Sequence, residues 1–418
     1  MRAARALCGL LLALAAGAAG ELSLDQLDAV RSFVTRLVGS SGSPAAVRRS
    51  MQGAGSPRER LLPTAPKERF QTWLEPERQF PCALEKARSP QRPFSVHRLR
   101  PGDVDLVAAM GDSLTSGNGV LAANLLQVAV ENRGMSWSIG GQASWRQFLT
   151  LPNILKELNP ALLGYSECDT WSHKRESQLN VAEGAAMVRD MPHQARLLVK
   201  RIASDPRMDL HRDWKLVTMM IGNNDICSEM CTYSNLTDMV RQHRANITAA
   251  LDYLAARLPR SLVALVPPPD LMLLTRIDVQ SWLCWLTRRV ECTCLFSDRF
   301  RDQLPWFQQT ILQLQAAQMQ LVDSGRYERE DFAVVVQPFT LGVKMPLVND
   351  TGATDLAYMS PDCFHLSQKS HARAANALWN NLLEPVGAKT EGWSPTFERF
   401  LCPSEQRPFF RTRTNSRT

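Results

Sequence analysis

The stretch Val104-Asp-Leu-Val-Ala-Ala-Met110, running straight into Gly111-Asp112-Ser113-Leu114, decides the fold. A short, nearly continuous apolar run that stops at a turn reads as a strand buried on both faces. Three more runs of this kind follow: Leu216-Val-Thr-Met-Met-Ile221, Leu262-Val-Ala-Leu-Val266 and Phe332-Ala-Val-Val-Val336. Between them lie stretches of helical periodicity, including Met239 to Leu258, Arg299 to Leu321 and Gln368 to Leu383. Strands alternating with helices predict an α/β fold around a parallel sheet.

Ligands of an open parallel sheet sit beyond the carboxyl ends of its strands, so those ends are the first place to look for chemistry. Gly111 and Asp112 permit a tight exit from the first strand, and Ser113 stands where the next helix begins. Alone, these residues also suit an ordinary turn with Asp or Ser as helix cap. The second strand ends in Ile221-Gly222-Asn223-Asn224-Asp225, where an asparagine amide either donates to a developing oxyanion or closes an Asx turn. Near the C-terminus, Ser360-Pro361-Asp362-Cys363-Phe364-His365 sets a carboxylate three residues before a histidine. That spacing lets Asp362 hold His365 Nδ1 and leaves Nε2 free to take a proton from a serine. Nucleophile, oriented base and oxyanion donor together are the parts of acyl transfer. No Gly-x-Ser-x-Gly elbow occurs, which argues against the α/β-hydrolase lipases.

Outward from this core, Arg2 and Arg5 precede the apolar run Ala6 to Ala16, and Ala18-Ala19-Gly20 supplies small residues before Glu21. This predicts a secretory signal peptide over residues 1–20, because the run falls short of the ~20 apolar residues that span a bilayer. No later stretch reaches that length, so no transmembrane anchor is expected in this chain. Leu22 to Val38 has helical periodicity, and Gly39 to Pro66 is rich in Ser, Gly, Pro and Arg. The expected organisation is a helix and linker or pro-segment over 21–79, one hydrolase domain over 80–402, and a basic tail over 403–418.

Of 418 residues, 44% are hydrophobic and 21% charged, a globular composition. The 48 basic against 41 acidic side chains give +7 without any nucleic-acid-binding motif, so nucleic acid is excluded as a partner. Ten cysteines become nine once Cys8 leaves with the leader, so at least one thiol has no partner within the chain. In an oxidising compartment the others are read as disulfides rather than zinc ligands. Asn235, Asn246 and Asn349 each head an N-glycosylation acceptor triplet.

Four blocks now stand in order: Gly111-Asp112-Ser113-Leu114, then Asn180-Val-Ala182-Glu-Gly184-Ala185, then Gly222-Asn-Asn224-Asp225, and last Asp362 with His365. In these the chain resembles the SGNH or GDSL family of serine hydrolases, the second block being one spacer residue short. Longer phrases, such as Arg133-Gly-Met-Ser-Trp-Ser-Ile-Gly-Gly141 and Ala377-Leu-Trp-Asn-Asn-Leu-Leu-Glu-Pro-Val-Gly387, resemble its membrane-associated phospholipase B branch from about Phe80 to Cys402. The resemblance implies a three-layer α/β/α sandwich with Ser113 as nucleophile. It also implies an oxyanion hole made of the Ser113 N–H, the Gly184 N–H and the Asn224 side chain. The implied activity is calcium-independent, with no cofactor or metal. It is hydrolysis of fatty acyl esters in phospholipids and lysophospholipids at membrane or micelle surfaces, with acylglycerols and retinyl esters as related substrates.

The same resemblance places the protein in the secreted fraction or on the extracellular, apical face of the plasma membrane, and a monomer is expected. Three features depart from the branch. The chain has one repeat instead of several, Asn223 stands where Gly is common, and Cys168 is an added cysteine. Leu121 to Val130, Trp137, Trp145 and Trp282-Leu-Cys-Trp285-Leu286 are candidate walls for an acyl chain, and a Cys363–Cys402 disulfide is expected to clamp the histidine loop. Two other readings stay open: a carbohydrate deacetylase or thioesterase with the same triad, and a non-catalytic secreted lipid-binding protein.

Overall fold

A computed structural model describes residues 67–416, apart from 278, 280, 349 and 350. The expected signal peptide, the helix over Leu22 to Val38 and the acceptor Asn349 lie outside the described residues. Four strands, β1 (Leu106–Gly111), β2 (Lys215–Met220), β3 (Ser261–Val266) and β4 (Phe332–Val336), form the sheet. They run parallel in the order β1-β2-β3-β4. Each of the four apolar runs is therefore a strand. On the free edge of β1 a further neighbour is present only in fragments. The Val107 N–H donates to Leu163 O at 2.9 Å, and the Val181 N–H donates to Ala109 O at 3.0 Å.

The helices used below are α1 (Ser113–Ser116), α2 (Leu151–Leu158), α3 (Met191–Ser204), α4 (Leu236–Arg257), α5 (Trp282–Glu291), α6 (Thr293–Phe296), α7 (Leu304–Asp323) and α8 (Gln368–Leu383). Side chains alternate across each strand, so each face of the sheet builds its own core. Val107, Ala109, Leu216, Leu262 and Val335 pack beneath α2 and α8. Leu106, Ala108, Val217, Val263 and Val334 pack beneath α3, α4 and the end of α7. The result is the three-layer α/β/α sandwich. The helix expected from Arg299 starts instead at Leu304, after a 3-10 segment over Asp298–Gln303. Pro305 is the reason: its ring removes an N–H and would clash with a preceding turn, so it suits only a first turn.

Both flanks are packed onto this sandwich. The Gln71 N–H donates to Gln368 Oε1 at 2.8 Å, and Phe70 is buried with Val120, Met135 and Phe148. At the other end Phe410 is fully buried, and its N–H donates to Leu99 O at 2.9 Å. A Cys82–Cys402 disulfide joins the two flanks. This corrects the expected Cys363–Cys402 bridge, because Cys363 is bonded to Cys284. Among the described residues Cys227–Cys292 and Cys231–Cys294 complete the set, and Cys168 is exposed and unpaired.

Candidate active site

The exit from β1 is fixed by its own turn residues together with partners brought in from elsewhere in the chain. Gly111 adopts φ +154°, and a Cβ on it would stand 2.4 Å from Met220 O, so a larger residue would push the first two strands apart. Gln194 clasps this glycine from both sides, accepting from its N–H at 2.8 Å and donating to its carbonyl at 2.9 Å. Asp112 then caps α1: Oδ1 accepts from the Leu114 N–H at 3.0 Å and Oδ2 from Asn223 Nδ2 at 2.9 Å. Burial pushes the Asp112 carboxyl up to about 6 against the pull of those two donors. Ser113 is thereby held at the first position of α1, and only 8% of it is exposed.

The histidine loop is a tight turn, with the Ser360 N–H donating to His365 O at 2.9 Å and Cys363 at φ +58°. Asp362 divides its carboxylate between two tasks. Oδ1 accepts from the Phe364 and His365 N–H groups, each at 3.0 Å, which shapes the turn. Oδ2 takes the Nδ1–H of His365 at 2.5 Å. With Nδ1 carrying the proton, Nε2 is the acceptor that faces Ser113 Oγ at 2.9 Å. Burial alone would depress the imidazole, but the Asp362 carboxylate, with Glu291 and Asp112 adding to it, raises it to about 9. Burial opposes ionisation of Asp362 too, and the His365 ring outweighs it and lowers that carboxyl.

The loop is tied to its surroundings at three points. Thr287 Oγ1 donates to Asp362 O at 2.7 Å, Arg288 Nε donates to Cys363 O at 3.0 Å, and Ser360 Oγ donates to Gly119 O at 3.1 Å. Sequence reading did not single out Gln194, Thr287 or Arg288. Each acts on backbone far away in the chain, so no local pattern marks it.

Asn224 follows β2 and lines the same cavity as Ser113. One of its amide hydrogens is donated to Ala186 O at 2.9 Å, which aims the group. Gly184 is half-buried, in the turn just before Ala186. That turn is joined to the β1 exit by the Glu183 N–H donating to Gly111 O at 3.2 Å. Arg133 braces the second block from behind, donating to Asn180 O at 2.9 Å and Ala182 O at 2.6 Å. Ser113, Asp362, His365 and Asn224 are thus brought together at the carboxyl end of the sheet, with Gly184 one turn away.

The cavity beside Ser113 is walled by Leu271, Leu274, Phe339, Met345, Met359 and Leu366, among other apolar side chains. Trp137 belongs to this wall, and its indole N–H donates to Leu114 O at 3.1 Å. The other expected walls lie elsewhere. Trp145 is fully buried in the core beneath α2 and α8, Leu121 to Val130 is not part of the lining, and Trp282 and Trp285 are exposed. The exposed acceptor Asn235 caps α4, and Asn246 is half-buried within it.

Residues 107–378 match the family described as GDSL-like Lipase/Acylhydrolase. The chain belongs to that family. It is 41% identical over 340 residues to "Phospholipase B1, membrane-associated" of Mus musculus, an alignment covering 81% of this chain and 22% of that protein. It is 40% identical over 346 residues to the Homo sapiens protein of the same name, covering 79% and 23%. The chain therefore spans less than a quarter of the length of these curated relatives. Among solved structures it is similar to an extracellular lipase from Streptomyces rimosus, at 12% identity, 66% and 98% coverage and a TM-score of 0.33. A phospholipase A1 from Streptomyces albidoflavus is similar at 15% identity, 64% and 94% coverage and a TM-score of 0.28.

Proposed function

We propose that this chain is a serine esterase that hydrolyses fatty acyl esters of phospholipids and lysophospholipids, a phospholipase B and lysophospholipase, through an acyl-serine intermediate. The observation that carries this reading is the Ser113–His365–Asp362 relay opening onto a cavity with apolar walls. His365 Nε2 removes the Ser113 Oγ proton as Oγ attacks the ester carbonyl. The oxyanion forms against the Ser113 N–H, the Gly184 N–H and the second amide hydrogen of Asn224. Collapse expels the alcohol with the proton from His365, and water then repeats the sequence on the acyl-serine.

An apolar wall suits a long acyl chain, of a phospholipid, acylglycerol or retinyl ester, better than an acetylated sugar. The relay also argues against a purely binding role, since binding alone needs no imidazole poised 2.9 Å from a serine. Phospholipase B1 relatives support the phospholipid substrate class.

Four disulfides among the described residues support passage through an oxidising secretory compartment, with Asn235 and Asn246 as glycan acceptors. Among the described residues no helix is long and apolar enough to cross a membrane. We assign the protein to the secreted fraction or the extracellular membrane face, as a monomer. One panel tests the activity: diacyl phospholipid, lysophospholipid, retinyl ester and a short acetyl ester, each with wild type and Ser113→Ala. Turnover of the long-chain esters that disappears in Ser113→Ala is expected. Turnover confined to the acetyl ester would overturn the substrate class.

A further inference from the structure

Trp282 and Trp285 are 72% and 54% exposed and are not among the residues lining the cavity. Two tryptophans three positions apart on one helix share a face, and an apolar patch of that size left in water marks a contact surface. Their helix, α5, belongs to the connection that leaves the carboxyl end of β3, the end of the sheet where Ser113 sits. The β4 connection at that same end carries exposed Leu347, Val348 and Leu356.

The α5–α6 segment is bonded to both loops of the candidate site. Cys284 holds Cys363, between Asp362 and Phe364. Cys292 and Cys294 hold Cys227 and Cys231, on the stretch that follows Asn224. Arg288 Nη1 donates to Leu274 O at 3.3 Å and Ile277 O at 3.2 Å, on the turn whose Leu271 and Leu274 wall the cavity. The tryptophans therefore stand on a platform held at a fixed position relative to the cavity.

We propose that α5 seats the protein on a phospholipid surface, with Trp282 and Trp285 as anchors, so that an acyl ester drawn from that surface enters the adjoining cavity. This rests on the lipid-ester reading given above. Charge and chemistry choose the occupant. The Arg289 guanidinium lies 4.0 Å over the Trp285 ring, and Arg276 is exposed on the neighbouring turn. Arg289 and Arg301 share the carboxylate of Asp298, at 3.1 and 2.6 Å, and the exposed Arg276, Arg299 and Arg301 outnumber the exposed Asp298 and Asp302. Guanidinium groups complement headgroup phosphates, and an indole beside them suits the boundary between headgroups and acyl chains.

The test uses the full chain, with Trp282→Ser/Trp285→Ser compared with Trp282→Phe/Trp285→Phe and wild type. Flotation with phosphatidylcholine vesicles containing phosphatidylglycerol reads docking, and hydrolysis of a monomeric short-chain ester reads the site itself. The double serine variant is expected to bind vesicles roughly tenfold more weakly or worse, from the apolar area it no longer buries. Its hydrolysis of vesicle phospholipid should fall in parallel, with monomeric-ester turnover unchanged, and the phenylalanine pair should retain most of the binding. Equal vesicle binding by the serine variant and wild type, both cleaving phospholipid, would overturn the docking face and leave the lipid-ester reading intact. Dissociation of a dimer by the serine pair, with vesicle binding intact, would assign the face to a second copy and also overturn it. Wild-type turnover of the short ester without any phospholipid turnover would instead remove the lipid-ester reading, and the docking face with it.

Discussion

Ser113 and His365 meet at 2.9 Å from different supports, one at a strand end and the other in a loop. Ser113 follows a buried strand and is positioned by the Gly111 backbone, the Asp112 cap and the first turn of α1, with Gln194 and Asn223 holding Gly111 and Asp112 in turn. His365 lies in a turn held by groups distant in the chain: Thr287, Arg288 and the Cys284–Cys363 bond, 79 residues apart in sequence. The nucleophile thus sits directly on the end of a buried strand, whereas the base sits in a loop that α5 holds through Thr287, Arg288 and a disulfide. Disturbing α5 should weaken catalysis through the histidine loop while leaving the strand exit intact.

The largest effect at the base should come from Asp362→Asn, which removes the carboxylate that fixes the Nδ1 tautomer. A loss of roughly 10⁴-fold in kcat is expected. The pH profile sharpens this. His365 works as a base only when neutral, and the Asp362 carboxylate raises its pKa to about 9. Wild-type kcat/KM should therefore climb with pH, with an inflection above the 6.5 of an ordinary histidine. In Asp362→Asn the surviving activity should show its inflection shifted downward, and an unmoved inflection would remove Asp362 from the relay.

Next in size, Asn224→Ala deletes one oxyanion donor and should cost about 10²–10³ in kcat with little change in KM. Because Asn224 also donates to Ala186 O, thermal unfolding of the variant must be measured alongside, and a stability loss without a rate loss would make Asn224 a structural residue only. The smallest effect bears most directly on the contrast between the two supports. Cys284→Ser/Cys363→Ser should lower stability by about 2–4 kcal/mol, read by denaturant unfolding. Activity should fall only partially, since Thr287 and Arg288 still hold the loop. Unchanged activity and stability would show that the turn positions His365 unaided.

What was legible in the sequence follows the same division. The four strands are buried on both faces, so each shows as an apolar run, and the turns that end β1 and β2 carry Ser113 and Asn224. Asp362 and His365 were legible because an oriented imidazole needs its carboxylate close by. Disulfide partners are set by tertiary proximity, and Cys363 finds Cys284 instead of Cys402 because α5 packs on its loop. The tryptophans of α5 looked like pocket walls because composition marks them as apolar but not which way they face. Gln194 was invisible for a similar reason: its target is the backbone of Gly111, which any residue type would offer.

The central claim is that Ser113 carries the acyl group between two half-reactions. Rapid quenching of the wild-type protein with a lysophospholipid, followed by proteolysis and mass spectrometry of the Ser113 peptide, measures this directly. The account predicts a fatty acyl adduct on Ser113 of the wild-type protein that is absent from Ser113→Ala. Turnover of the lysophospholipid with no adduct at Ser113 at any quench time, or unchanged turnover in Ser113→Ala, would contradict it.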